Sequence, residues 1–327
     1  MVFVQFRRRN PVSPAASLHP RKMLKLAAAL CLGSAAPAAA SLSPLIAAGG
    51  DVRAASKVGP LPGITATSYA GLITTNATDN AEAFFWYWPA LDGNASAPTL
   101  VWAQGGPGSS SLFGMLVEMG PYRISADLLP YPNNATWAAH YNMVFLDNPR
   151  GTGFSSADTL CTDWQCYGAD FSSFIRQFLT AYDLLGSDLY ITGESYAGHY
   201  VNAFAYSVHV DNANGVPPHV NLKGIALGNA FVAPLEMSQG YADIIFQAGL
   251  LSEPEYAVAQ DYVARITARI DDADYVGAYL VWDAFLNGDS TPGGAWFTNV
   301  TGLTNYFVRM TILAPTVVAS NRSLFAY

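Results

Sequence analysis

Charged side chains are scarce in this sequence, and basic ones are scarcer than acidic ones. Only 12% of the 327 residues are charged, and 16 basic against 24 acidic residues give a net charge of −8. A surface that binds nucleic acid needs clustered Lys and Arg to neutralise phosphates, so this balance argues against a nucleic-acid partner. Apolar residues make up 51% of the chain, which argues against disorder and favours a well-buried enzyme core.

Cysteine and histidine are also rare, with three and five residues. Cys31 falls in a signal-like segment, which leaves Cys161 and Cys166 as a pair separated by four residues. In an oxidising compartment the pair can close a small disulfide loop, and otherwise it is two free thiols. No histidine cluster lies beside the pair, so we expect no zinc site and no other metal.

The first 40 residues have the composition of a targeting segment. A basic stretch ends at Lys22, a short apolar run covers 24–32, and small residues follow at 38–40, as in a secretory signal peptide. The apolar run is too short to span a bilayer comfortably, so we expect no membrane span once the signal is removed. Met23 would open a better-proportioned signal than Met1, and an organellar transit peptide is the competing interpretation. Residues 41–57 are predicted to be a linker.

Five N-x-[ST] sequons favour the secretory route, with a lysosomal, vacuolar or extracellular destination. They are only a mild enrichment over chance. The candidate glycosylation sites are Asn76, Asn94, Asn134, Asn299 and Asn321.

Short apolar runs alternate with helical patterns in the region from residue 58, which we take as the start of the folded domain. The later runs, such as Met143–Leu146, are continuous, as expected of strands buried on both faces of a parallel sheet. Helical patterns at Asp170–Leu185 and Tyr196–Val210 lie between them, so the sequence predicts an α/β fold. The predicted strands are Ser68–Thr74, Ala83–Trp88, Thr99–Ala103, Asn142–Leu146, Asp188–Thr192 and Lys223–Leu227.

The pattern becomes helical from about residue 233, through Tyr241–Leu250, Glu253–Ile270 and Tyr275–Phe285. We interpret residues 233–315 as a helical cap within a domain that covers 58–327. A further strand pattern occurs at Thr311–Val318, where a proline interrupts it.

The segment Tyr190–Tyr200 has the pattern of a nucleophile elbow. A predicted strand ends at Gly193, the chain turns at Ser195, and a helix follows at once. Gly193 and Ala197 are small, which lets strand and helix approach closely. The helix N-terminus would stabilise a developing oxyanion. A serine N-cap on a tight turn would suit the same residues.

A glycine-rich segment, Gln104-Gly-Gly-Pro-Gly-Ser109, follows the third predicted strand. Consecutive glycines allow backbone N–H groups to point into a cleft without obstruction by side chains. An α/β-hydrolase places its second oxyanion donor after this strand.

Together these segments resemble the serine carboxypeptidase family, whose signatures are W-L-N-G-G-P-G-C-S-S and G-E-S-Y-A-G-x-Y. Agreement continues in Glu118–Tyr122, Asp147–Ser155 and Asn221–Asn229, and it covers Leu61–Met310 in the family's order. The glutamine at 104 and the stretch 287–310 look most like the vitellogenic-like carboxypeptidase branch. The resemblance implies an α/β-hydrolase sheet covered by helices. It also implies an enzyme that releases C-terminal residues from peptides through an acyl-enzyme, without metal or organic cofactor.

The resemblance also implies roles for single residues. Ser195 would be the nucleophile, and the N–H groups of Gly106 and Tyr196 would form the oxyanion hole. Gln104 keeps the family's amide donor but is one methylene longer, and Glu118 without the resemblance would be a solvated helix charge. The residues expected to bind the substrate's terminal carboxylate are Gln104, Gly105, Glu118 and Glu194.

Two positions depart from the family pattern. Ser109 replaces a cysteine that in many members forms a disulfide to the cap, so that bridge is excluded here. Arg150 replaces the usual valine, and we expect it beside the cleft, altering specificity, or in solvent.

The family's triad follows the chain order Ser, Asp, His, with the histidine in a G-H-x-x-P context that this sequence lacks. His199 lies four residues after Ser195, but its helix carries it away from the hydroxyl, so we expect a packing role. We therefore expect a fragment without the catalytic Asp and His and without the final strands. Alone it should be inactive and poorly folded, because the unfinished sheet exposes an apolar strand edge.

Two other functions remain open on the sequence. An acyltransferase of the same family would pass the acyl group to an alcohol. A carboxypeptidase-like protein that binds peptides without cleaving them would also fit a chain that lacks two triad members. The expected partners are peptides with a free C-terminus, and the sequence predicts no oligomeric state.

Overall fold

The computed structural model describes residues 40–125 and 127–303, and the chain divides after Val232 into two compact units. The predicted signal segment up to residue 39, the sequon at Asn321 and the strand pattern at Thr311–Val318 lie outside the described residues. The helices are α1 (Ser43–Ala47), α2 (Val52–Ser56), α3 (Trp164–Ala181), α4 (Ala197–Ala213), α5 (Pro234–Gln247), α6 (Glu253–Asp271), α7 (Tyr275–Trp282) and α8 (Trp296–Thr301).

A six-stranded mixed sheet forms the centre of the first unit, in the order β1-β2-β6-β3-β7-β8. The first three strands in this order pair antiparallel, and the remaining pairs are parallel. A separate two-stranded hairpin is formed by β4 and β5. The strands are β1 (Tyr69–Asn76), β2 (Ala81–Trp88), β3 (Thr99–Ala103), β4 (Tyr122–Ile124), β5 (Pro130–Pro132), β6 (Asn142–Leu146), β7 (Leu189–Glu194) and β8 (Leu222–Gly228).

The apolar side chains of the sheet alternate between two cores. On one face Phe85 and Tyr87 pack with the aromatic stripe of α3, including Phe174 and Phe178, and with α4. On the other face a second core gathers the remaining strand side chains and the π-helical turn Gly114–Glu118. Because both faces are covered there, β3 and β6 are buried at every position, as the sequence predicted. The prediction was wrong for β8, whose residues are mostly exposed, with Ile225 and Leu227 among the exposed apolar side chains.

Residues 41–57 differ from the expected linker. They form α1 and α2, and Leu42 and Val52 are buried in the core that contains α3. Asp51 caps α2 by accepting a hydrogen bond from Ala54 N. Two buried apolar side chains and a helix cap therefore fix this segment to the sheet.

The second unit, from Ala233, is helical over its described residues, with α5 to α8 and a second π-helical turn at Asp283–Asn287. Its own core includes Ile245, Ile266 and Phe285. The helical composition is the one expected of a cap, and the role of a cap stays a prediction.

Among the described residues, no helix combines the length and the apolar character that crossing a membrane requires.

Phe85 provides a test of the core of the first unit. Its ring is fully buried and lies 5.2 Å from the Phe178 ring and 5.9 Å from the Phe174 ring, centroid to centroid. Phe85→Ala should lower the free energy of unfolding by about 3–5 kcal/mol, because a large cavity remains. Leu129→Ala, at a 60% exposed position, should change it by less than about 0.5 kcal/mol. Urea unfolding of both variants measures the difference, and equal losses would contradict this packing.

Candidate functional site

Ser195 lies in a strained turn between β7 and α4. Its φ is +61°, a left-handed conformation that non-glycine residues rarely adopt. Ser195 N donates to Gly228 O (3.0 Å), while Ser195 O accepts from Gly198 N (3.0 Å) and Phe231 N (2.8 Å). These three backbone hydrogen bonds hold the turn that lifts the serine above the sheet edge, which is the geometry of a nucleophile elbow.

Gly193 is required by the close approach of strand and helix at this turn. A Cβ on Gly193 would lie 2.7 Å from both Ala103 O and Ala197 Cβ. Ala197 is fully buried, and its methyl group occupies the space beside Gly193. This methyl group fits because residue 193 has no side chain.

The glycine-rich loop after β3 sits directly against the elbow. A Cβ on Gly105 would lie 2.6 Å from Tyr196 N and 2.8 Å from Ser195 Cβ. Gly106 has a φ of +116°, which glycine alone adopts readily, and precedes a cis proline. Neither Gly106 N nor Tyr196 N donates a hydrogen bond within the described residues. The structure thus brings together Ser195 and the two N–H groups that the sequence predicted for an oxyanion hole.

Within the described residues, no side chain hydrogen-bonds the Ser195 hydroxyl. His199 packs its ring against Tyr196 and Phe231, with centroids 4.7 and 5.8 Å away. Burial lowers the pKa of His199. His199 therefore has the packing contacts that its position on the helix predicted.

Two glutamates expected at the substrate's carboxylate are neighbours. Glu118 ends the π-helical turn and Glu194 ends β7. Burial, with the adjacent Glu194 carboxylate as the second cause, raises the pKa of Glu118 to about 8, while Arg123 opposes the rise. Glu118 Oε2 is buried without a hydrogen-bond partner among the described residues. Burial beside a second carboxyl group therefore favours the protonated form of Glu118.

Gln104 is buried and oriented by its neighbours. Its Oε1 accepts from Trp102 Nε1 (2.9 Å), and its backbone N–H donates to Ser111 Oγ (3.0 Å). A Cβ on Gly114 would lie 2.4 Å from Trp102 Nε1, so this contact needs glycine there. Oε1 is used in this contact, and the N–H₂ group of the amide donates no hydrogen bond within the described residues. The pattern of the sequence gave no sign of the Trp102 contact.

The Arg150 side chain is buried and forms ion pairs, so it is not solvated as one of the two expectations had it. Its guanidinium forms a bidentate pair with Asp170 (2.5 and 2.9 Å) and a second ion pair with Asp79, and its side chain is only 9% exposed. Thr159 donates to the same Asp79 carboxylate. Two carboxylates from different segments neutralise the arginine, so it connects the loop after β6 to α3.

Cys161 and Cys166 are joined by a disulfide, with Cα atoms 5.5 Å apart. Together with Asp170 they are the one group of potential metal ligands found among the described residues. The two sulfurs form a disulfide and the Asp170 carboxylate is paired with Arg150, so these three residues are not available to bind a metal ion.

Comparison with known proteins decides the family. Residues 60–284 match the family described as serine carboxypeptidase. This chain belongs to the serine carboxypeptidase family. The prediction made from the two signatures is confirmed.

The relatives of this serine carboxypeptidase chain are proteins of animals and fungi, among others. The "Probable serine carboxypeptidase CPVL" of Mus musculus is 40% identical over 257 residues, which are 77% of this chain and 53% of that protein. The "Vitellogenic carboxypeptidase" of Aedes aegypti is 34% identical over 244 residues, 73% of this chain and 51% of that protein. The chain thus spans about half the length of the curated relatives that it matches.

A solved structure supports the fold. The crystal structure of Kex1(delta)p, a prohormone-processing carboxypeptidase from Saccharomyces cerevisiae, superposes with a TM-score of 0.62 at 25% identity. The match covers 69% of this chain and 56% of that one. The predicted α/β-hydrolase sheet covered by helices is confirmed.

The raised pKa of Glu118 predicts a pH-dependent stability. A carboxyl whose folded pKa is raised contributes stability that is complete below its unfolded pKa, 4.5, and lost as pH rises to about 8. The melting temperature should therefore fall between pH 6 and pH 8, and Glu118→Gln should flatten this fall.

The matched control is Glu236→Gln, at an exposed position in the first turn of α5. It should leave the slope of melting temperature against pH as in the unchanged chain. If Glu118→Gln also leaves the slope unchanged, Glu118 does not hold a proton in the fold.

Proposed function

We propose that the protein is a serine-type carboxypeptidase that releases C-terminal amino acids from peptides. The observation that supports this most strongly is the left-handed Ser195 with the Gly105–Gly106 loop seated against the following N–H group. A helix cap does not require a glycine-rich loop beside the serine, whereas an oxyanion hole requires backbone N–H groups at that place.

In the proposed acylation, Ser195 Oγ attacks the carbonyl carbon of the last peptide bond and its proton passes to a general base. The carbonyl oxygen becomes an oxyanion between Gly106 N–H and Tyr196 N–H. The departing amine takes the proton, and water later hydrolyses the ester. No described residue contacts the Ser195 hydroxyl as a base. We therefore propose that the base and its orienting acid belong to the part of the relatives' length that this chain does not cover.

The same pocket is proposed to select peptides with a free C-terminus. Gln104 would donate its amide N–H₂ group, and Gly105 its backbone N–H, to the terminal carboxylate. Protonated Glu118 could donate a further hydrogen bond, which an ionised glutamate cannot. The neighbouring Glu194 completes the set, and one shared proton relieves the repulsion among three carboxyl groups.

The proposed location is the secretory pathway, with a lysosomal, vacuolar or extracellular destination. Two features of the described residues support it. The Cys161–Cys166 disulfide suits an oxidising compartment. The sequon asparagines that the structure describes are all exposed and accessible to a glycan: Asn76, Asn94, Asn134 and Asn299.

A binding protein without catalysis is the second candidate, because no described residue acts as base for Ser195. The two candidates differ in one measurable property, the reactivity of the serine in the complete protein.

Ser195→Ala in the complete protein should lower kcat for a peptide by roughly 10⁴-fold or more and abolish labelling by a fluorophosphonate, because the attacking oxygen is removed. The matched control is Ser173→Ala, a half-buried serine on α3, which should keep both properties. Labelling of the Ser195→Ala protein at another serine would overturn the assignment. A complete protein that is unreactive with Ser195 intact would favour the binding protein.

Recognition of the terminal carboxylate predicts a pH dependence of KM. As pH rises toward and beyond about 8, Glu118 loses its proton and repels the substrate's carboxylate. The KM of an N-blocked dipeptide should climb over this range, whereas the KM of its C-terminal amide should stay nearly flat. If both KM values rise together, these glutamates do not contact the terminal carboxylate.

A further inference from the structure

The glycine-rich loop is closed at its base by Ser111. Gln104 N, at the start of the loop, donates to Ser111 Oγ (3.0 Å), and Ser111 Oγ donates to Leu146 O at the end of β6 (2.5 Å). Ser109 N donates to Gly105 O (3.0 Å) within the loop. The position of Gly105 and Gly106 over the elbow therefore depends on what holds residues 110 and 111.

Asp147, the residue that follows β6, holds them. Its Oδ1 accepts from Ser110 Oγ (2.6 Å) and from Ser111 N (2.9 Å), and its Oδ2 accepts from Phe154 N (3.0 Å). The residue is 2% exposed. A buried carboxylate with three donors is fixed in position, since water cannot replace any of them.

The loop after β6 has a backbone shape that admits this carboxylate. Gly153 has a φ of +57°, and a Cβ there would lie 1.9 Å from Asp147 Oδ2. Ser155 Oγ donates to Asp147 O (2.7 Å) and accepts from Phe84 N (2.8 Å), which ties the same loop to β2. Asp147 thus links the glycine-rich loop to the end of β6 and to the loop that follows it.

We propose that Asp147 is a positioning residue for the oxyanion hole: it anchors Ser110 and Ser111 so that Gly106 N–H stays aimed beside Ser195. The proposal rests on the carboxypeptidase function argued above, and it adds a residue that does not touch the substrate. Burial raises the pKa of Asp147, and the three donors oppose the rise. Two of these donors are backbone N–H groups, which can only donate, so the geometry suits the ionised carboxylate as the acceptor of all three hydrogen bonds.

The chemistry of an acceptor-only group explains why an amide cannot substitute for it. Asparagine has the same shape, but its N–H₂ group would face either Phe154 N–H or the pair of donors from residues 110 and 111. One set of buried donors would then lose its acceptor, which shifts the loop. An oxyanion donor that moves by a fraction of an ångström loses much of its effect on the transition state.

Amide hydrogen exchange in the complete protein tests the anchor without any need for activity. Exchange at the Ser111 amide should be at least about tenfold faster in Asp147→Asn and Asp147→Ala than in the unchanged chain. The matched control is Asp283→Asn in the second unit. Asp283 is also fully buried and accepts hydrogen bonds from Asn287 Nδ2, Asp289 N, Ser290 N and Thr291 Oγ1. Its variant therefore also disturbs a buried, hydrogen-bonded carboxylate, but none of these donors belongs to the glycine-rich loop.

Kinetics of the complete protein test the catalytic consequence. Per folded molecule, kcat should fall by about 10 to 10³-fold in Asp147→Asn, up to the cost of deleting one oxyanion donor. The fall should be equal for a peptide acid and its C-terminal amide, because both use the same oxyanion hole. Asp283→Asn should retain kcat per folded molecule.

If the Asp147 variants do not fold, Ser110→Ala provides the test, since it removes one of the three hydrogen bonds and leaves the carboxylate. It should accelerate exchange at Ser111 and lower kcat by a smaller factor. Exchange at Ser111 that matches the Asp283→Asn control in every variant would overturn the proposal. This outcome is independent of whether Ser195→Ala abolishes activity, so failure of the anchor and failure of the carboxypeptidase assignment are distinguishable.

Discussion

The site depends on one steric constraint, the contact between the backbone of the glycine-rich loop and the backbone that follows Ser195. A side chain at residue 105 would overlap Tyr196 N, Glu194 O and Ser195 Cβ, all at 2.8 Å or less. Without this contact the two N–H groups would not converge, and the strained φ of Ser195 would serve no purpose. The arrangement of β3 beside β7 in the sheet is what brings the two segments together.

Buried carboxyl groups around this contact are held in two different ways. Asp147 receives three hydrogen bonds, which favour its ionised form and suit an anchor. Glu118 lies beside Glu194 with a buried unpartnered oxygen, which favours its protonated form and suits a hydrogen-bond donor. A carboxyl group thus serves as a fixed acceptor at Asp147 and as a hydrogen-bond donor at Glu118. The number of donors around each carboxyl group determines which form, ionised or protonated, is favoured.

Much of the sheet could be predicted because a strand buried on both faces has a continuous apolar sequence. Such a run can be recognised without knowing which strands lie beside it. All six predicted strands are present, and Thr99–Ala103 and Asn142–Leu146 have the predicted bounds. The short β4–β5 hairpin was missed, since a three-residue strand with prolines at both ends has no periodicity. The beginning of α3 was predicted six residues too late, although Asp163 caps it by accepting from Cys166 N.

The parts of the site that could not be predicted are contacts between distant segments. Glu118 has no local pattern of its own, and only the family likeness indicated a role. The carboxylates that pair with buried Arg150 belong to residues 79 and 170. The sequence around position 150 does not indicate either of these contacts. Asp147 was visible as part of a shared motif, but its contacts to Ser110 and Ser111 follow from the tertiary fold alone.

A crystal structure of the complete protein after reaction with a fluorophosphonate would show whether Ser195 faces an oxyanion hole made by Gly106 and Tyr196. We expect a covalent bond from phosphorus to Ser195 Oγ, with one phosphoryl oxygen about 2.7–3.1 Å from both backbone nitrogens. A phosphoryl oxygen turned to solvent, or an adduct on another residue, would contradict it.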